Sequence, residues 1–97
     1  MHVLVNHSIS NPDAFWSLVK TEPTLPEGFK VLSLMAGADP STAACLWKAP
    51  NVDSLRPMLD GMLTGLCTNT YMQINDENSF GLPDQVAQQK DLAGSHH

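Results

Sequence analysis

Phe29-Lys30-Val31-Leu32-Ser33-Leu34-Met35-Ala36, then Gly37-Ala38-Asp39-Pro40-Ser41, then Thr42-Ala43-Ala44-Cys45-Leu46-Trp47-Lys48-Ala49 is the stretch on which the fold turns. Two apolar runs flank a short segment of glycine, aspartate, proline and serine, which is the chemistry of a hairpin connection. The spacing predicts strands over 29–36 and 42–49. Upstream, Pro23, Pro26 and Glu27-Gly28 forbid a helix, and before them Phe15, Trp16, Leu18 and Val19 recur at helical spacing. Ser10-Asn11-Pro12-Asp13 supplies a cap, a proline for the first helical position and an acid in the first turn. That helix is expected to run to about Thr21 or Glu22. Downstream, Pro50-Asn51 ends the hairpin, and Asn51 or Asp53 can cap a helix with a stripe of Leu55, Met58, Leu59, Met62 and Leu63. Pro57 interrupts that stripe, and Gly61 and Gly65 weaken its end.

At the outer ends, Met1 to Ile9 is short, β-branched and partly alternating, and Cys67 to Ile74 alternates again. The order is therefore β-α-β-β-α-β. This predicts an α+β, ferredoxin-like unit: a four-stranded antiparallel sheet with two helices on one face, the first strand lying between the third and fourth. By apolarity, Val3, Val5, Thr70, Met72 and Ile74 are expected to face the helices, and Leu4, Asn6, Asn69, Tyr71 and Gln73 to look away. The second face would then expose Leu4, Tyr71 and, from the hairpin, Leu32 and Leu34 or Trp47. Pairing two sheets in a homodimer is the simplest way to cover them.

The chain has 97 residues, 42% apolar and 15% charged, with a net charge of −5. That is one small globular domain with a thin core, which a partner subunit would help to cover. No basic cluster is present to neutralise nucleic acid or an anionic membrane, and the longest apolar runs fall far short of the roughly 20 residues that span a bilayer. Two cysteines and no secretory leader pattern point to a reducing, cytoplasmic setting. Residues 1–83 read as the domain and 84–93 as a polar tail with a short helix. Gly94-Ser95-His96-His97 reads as a purification-tag remnant, which leaves His2 and His7 as the histidines to weigh.

Pro12-Asp13-Ala14-Phe15-Trp16, Leu25-Pro26-Glu27-Gly28, Cys45-Leu46-Trp47, Val52-Asp53-Ser54-Leu55-Arg56, Asn69-Thr70-Tyr71 and Asn78-Ser79-Phe80-Gly81-Leu82-Pro83 together resemble a family of small, largely uncharacterised bacterial proteins. That family is similar to the dimeric α/β-barrel superfamily, in which two ferredoxin-like protomers pack sheet against sheet. The resemblance spans about residues 1–83. It implies a range of activities: cofactor-independent monooxygenases, isomerases, polyketide cyclases, and haem- or metal-binding members, one of them a nickel binder. Family members often carry an acid after the Trp of the Cys-Leu-Trp run; this chain has Lys48 there, so a role for that acid does not transfer.

His7, at the end of the first strand, is the candidate acid–base group, since an ordinary imidazole titrates close to neutrality; a hydrogen-bonded strand-end histidine is the plainer alternative. Asn6, Asn69, Tyr71 and Trp47 are the candidate ligand-binding residues, with a subunit interface as the competing role for Asn69 and Tyr71. Cys45 reads as a buried small hydrophobe, because no His or Lys stands beside it in sequence to activate the thiol. Cys67 borders a turn, and the two cysteines lack metal-ligand spacing. His2 and His7 fall on opposite faces of one strand, so one protomer cannot readily chelate with both. Met35, Met58, Met62 and Met72 with Trp16 and Trp47 read chiefly as core, with room for a modest pocket. The expectation is a homodimer binding a small apolar or aromatic molecule between sheet and helices, with or without catalysis and with no cofactor specified. A non-catalytic metal-binding protein and a structural interaction module are the alternatives.

Overall fold

The computed structural model describes residues 1–83; the expected short helix at 84–93 and the tag-like residues 94–97 lie outside the described residues. Six elements and a final turn follow in order: β1 (His2–Ile9), α1 (Pro12–Lys20), β2 (Lys30–Ala36), β3 (Thr42–Lys48), α2 (Val52–Met62), β4 (Cys67–Gln73) and a 3₁₀ turn at Asp76–Asn78. The strands form one sheet in the order β2-β3-β1-β4, each neighbouring pair antiparallel. The arrangement is α+β and consistent with a ferredoxin-like fold. Among the described residues no helix is long and apolar enough to cross a membrane.

Local chemistry accounts for the boundaries. Asn11 caps α1 by accepting from the Ala14 amide at 3.2 Å, with Pro12 in the first turn, where its missing N–H costs nothing. Asn51 caps α2 in the same way, accepting from the Ser54 amide at 2.7 Å. Pro57 lies inside α2, which nonetheless continues to Met62 because Leu55 and Leu59 on its buried face anchor it to the sheet. α1 stops at Lys20, slightly earlier than expected, as Glu22 turns to a left-handed φ of 49°. In the β2–β3 hairpin the Gly37 amide donates to the Thr42 carbonyl at 2.9 Å. A Cβ at position 37 would stand 2.0 Å from Thr42 Oγ1, so a larger residue there would have to displace that side chain.

The core joins both helices to one face of the sheet. Val3 and Val5 of β1, Cys45 and Trp47 of β3, Phe15 of α1 and Leu55 and Leu59 of α2 belong to one buried cluster. Phe15, Leu55, Val3 and Val5 are its largest fully buried side chains, and each contributes about 1.5–3 kcal/mol through burial.

Two expectations about faces are corrected. The pairs Val5↔Tyr71, His7↔Asn69 and Ile9↔Cys67 put Cys67, Asn69 and Tyr71 on the helix side, with Thr70 and Met72 on the other. Apolarity misled because β4 is an edge strand beside α2: its polar side chains find partners on that helix, which makes the inward register favourable. In β2, an irregularity between Val31 and Ser33 inserts Leu32, so Val31 opposite Trp47 and Leu34 opposite Cys45 both face the helices. Trp47, Leu34 and Tyr71 therefore leave the open face. Met35 and Met72 remain on it, 50% and 52% exposed, alongside half-buried Leu4 and buried Leu46. His2 also lies on that face, its Nδ1 2.9 Å from the Asp76 carboxylate in the turn after β4.

Candidate functional site

β1 carries His7 on the helix-facing row, where the side chain is only 4% exposed. β3 runs antiparallel beside it with Val5 opposite Cys45, so Cys45 is the diagonal neighbour of His7 on the same face. His7 Nε2 lies 3.0 Å from Cys45 Sγ, and the Trp47 indole N–H donates to the same sulfur at 2.8 Å. On the other side of the ring, β4 supplies Asn69, whose Oδ1 is 2.6 Å from His7 Nδ1. Cys67 donates its thiol to the same oxygen at 3.1 Å. The Asn69 amide nitrogen then donates to Asp60 on α2 at 2.9 Å, and the Tyr71 hydroxyl donates to that same carboxylate oxygen at 2.5 Å.

This sequence of bonds has a direction set at one end. An ionised Asp60 can only accept, so Asn69 must turn its NH₂ toward Asp60 and its oxygen toward His7. That oxygen requires the proton of His7 to sit on Nδ1, which leaves Nε2 as the lone-pair nitrogen, and Cys45 S–H donates to it. The tautomer is thus assigned by the bonding pattern. The electrostatics agree. Hydrogen bonds from Tyr71 and Asn69, with Arg56 nearby, hold the Asp60 carboxyl below its ordinary range. Burial lowers the His7 pKa, partly offset by the Asn69 bond. Burial pushes the Cys45 thiol up to about 12, against the smaller opposing effect of the Trp47 N–H. Burial and then the Asp60 charge raise Cys67. Tyr71 is raised by burial and by its bond to Asp60, so it stays a phenol, with the Arg56 guanidinium 5.3 Å from its ring centroid. The His7–Cys45 pair is neutral at rest.

A cavity of about 470 Å³ opens against this pair, between the sheet, the end of α1, the α1–β2 connection and α2. Leu18, Leu25, Phe29, Leu59 and Met62 are among the apolar residues of its wall, and His7, Cys45 and Trp47 line it from the sheet. Glu22 and Lys30 also border it. Phe15 packs against His7 with ring centroids 5.3 Å apart and holds the imidazole from the α1 side.

Of the residues expected from sequence, His7 and Trp47 reach the cavity. Asn69 and Tyr71 do not line it; they stand behind His7 and fix its orientation. Asn6 is exposed on the opposite sheet face, one strand position out of phase with His7, and is not part of this cluster. Cys45 and Cys67, which the sequence reading weighed and set aside, and Asp60, which it did not single out, are the further members of this cluster. The Cys45–His7 contact depends on the β1–β3 register, and Asp60 looks in sequence like any acid on the polar side of α2. Both cysteines are free. Among the described residues no group of three or more His, Cys, Asp or Glu is placed to hold a metal ion. No family model, curated protein or solved structure matches the chain.

Proposed function

We propose that this protein is a homodimer of the dimeric α/β-barrel kind that binds a small, mostly apolar or aromatic molecule between sheet and helices, with His7 as the acid–base group of the site. The observation that carries the reading is the 470 Å³ cavity, walled by aliphatic and aromatic side chains and meeting one buried imidazole of defined tautomer. Such a pocket takes its affinity from apolar contact and its orientation from a few polar atoms. His7 suits acid–base duty because Nδ1–H is committed to Asn69, while Nε2, which accepts from the Cys45 thiol, is the nitrogen left to take up a proton on a ring that lines the cavity. Dimer formation is supported by the half-exposed Met35 and Met72 on the open sheet face, which a second sheet would cover.

Native mass spectrometry on tag-free protein purified without chelator tests both parts. The expected spectrum is a dimer carrying an additional organic mass, with that mass lost in a Leu59→Trp variant that fills the cavity. A bare monomer would overturn the dimer, and a dimer carrying only a divalent metal would replace ligand binding with metal binding.

A further inference from the structure

We propose that Cys45 is a nucleophile whose thiol adds covalently to an electrophilic apolar ligand in the cavity, an aryl- or alkyl-substituted α,β-unsaturated carbonyl compound. This rests on the ligand-binding reading of the same cavity. His7 carries the proton, and Asn69 and Asp60 act as positioning residues.

Three observations converge. First, the thiol, the imidazole and the amide stand in the order that activates a sulfur nucleophile: Cys45 Sγ 3.0 Å from His7 Nε2, and His7 Nδ1 2.6 Å from Asn69 Oδ1. A nucleophile, its base and a third group orienting the base form a constellation recognised by geometry rather than by sequence order. Second, the proton already presented to Nε2 is that of the Cys45 thiol, so the first proton this base removes is the one that frees the sulfur. Third, both Cys45 and His7 line the cavity, whereas Cys67 does not. Cys67 lies 3.9 Å from the committed Nδ1 and donates instead to Asn69. It is a built-in control for thiol reactivity without an available base.

The surroundings select the class of electrophile. The groups that face the pair are the Trp47 N–H on Sγ, Cys67 and Asp60 behind Asn69, and Glu22 and Lys30 among the cavity lining. Burial keeps thiol and imidazole neutral, so the proton moves as the carbon–sulfur bond forms rather than beforehand. Addition to a conjugated carbonyl suits that situation because nothing has to leave. Sγ bonds to the β-carbon while its proton passes to Nε2, and the carbon–carbon π pair moves toward the carbonyl as an enolate. Nε2 then returns the proton to the α-carbon. The net change is S–H added across one C=C bond, with nothing oxidised or reduced.

The test is labelling by 4-phenyl-3-buten-2-one, followed by intact and peptide mass spectrometry, beside calorimetric binding of its saturated counterpart 4-phenyl-2-butanone. The expected result is one adduct on Cys45, formed well before any on Cys67. His7→Gln, confirmed folded by circular dichroism, should slow it by at least about a hundredfold, the scale of general base assistance. Asn69→Leu, which keeps His7, should slow it about tenfold while leaving the affinity for the saturated ketone unchanged. Binding of the saturated ketone without labelling of Cys45, or labelling that His7→Gln does not slow, would overturn the nucleophile and leave the binding pocket standing. Absence of both binding and labelling would overturn both.

Discussion

Lowering the pH through the range just below 6.5 should destabilise the fold by way of His7. The ring is buried with both nitrogens engaged, Nδ1–H donating to Asn69 and Nε2 accepting from Cys45. A proton added at Nε2 would set donor against donor, and the sulfur already receives the Trp47 N–H. The folded state therefore resists protonation, and the His7 pKa is lowered from 6.5, chiefly by burial. The sign follows from proton counts. Between the lowered folded value and the unfolded one, the unfolded chain binds more protons, so stability is fully present above 6.5 and lost as pH falls below it. One such group gives a limiting slope of about 1.4 kcal/mol per pH unit, so a descent from pH 6.5 to 5 removes up to about 2 kcal/mol. With a urea slope of about 1–1.5 kcal/mol/M for a domain of this size, the midpoint should fall as the pH is lowered, by no more than about 1–2 M over that range. The assay is urea unfolding at pH 7.5, 6.5, 5.75 and 5 for the wild type and for His7→Gln. Terminal histidines and the His2–Asp76 pair are common to both proteins and cancel in the difference. Parallel pH dependences would refute the argument from His7 burial.

Leu55→Ala, at a fully buried site facing both sheet and helix, should cost about 3–5 kcal/mol, read as a lower unfolding midpoint with an unchanged denaturant slope. Asn51→Ala removes the cap of α2 and should cost about 1 kcal/mol, which Asn51→Asp should largely restore. Gly37→Ala drives a Cβ into Thr42 Oγ1 and should lower the thermal midpoint. Adding Thr42→Ala should recover part of that loss, so the two substitutions should be non-additive by more than about 0.5 kcal/mol. Glu22→Gly, at the left-handed position after α1, should raise stability by about 0.5 kcal/mol, since the relief of backbone strain exceeds the entropy cost of glycine.

The element order was legible in the sequence because each signal was local. The proline and glycine punctuation around 23–28, the loop at 37–41, the asparagine caps at 11 and 51 and the leucine–methionine stripe of α2 act within a few residues of themselves. The face of β1 was equally legible, because Val3 and Val5 are its most apolar alternate positions and fix His7 beside them. Tertiary structure decided what a local reading cannot. The face of β4 followed from its pairing with β1 and from Asp60 on a separate helix receiving Asn69 and Tyr71. The face of Leu34 followed from one inserted residue in β2, which reverses every side chain after it. Cys45 became a partner of His7 only through an antiparallel register joining positions 38 residues apart. Composition and periodicity report which residues can be buried. The neighbours that give a buried imidazole its tautomer, its lowered pKa and its cavity come from separate strands and a helix, and only the assembled sheet with its helix brings them within hydrogen-bond distance.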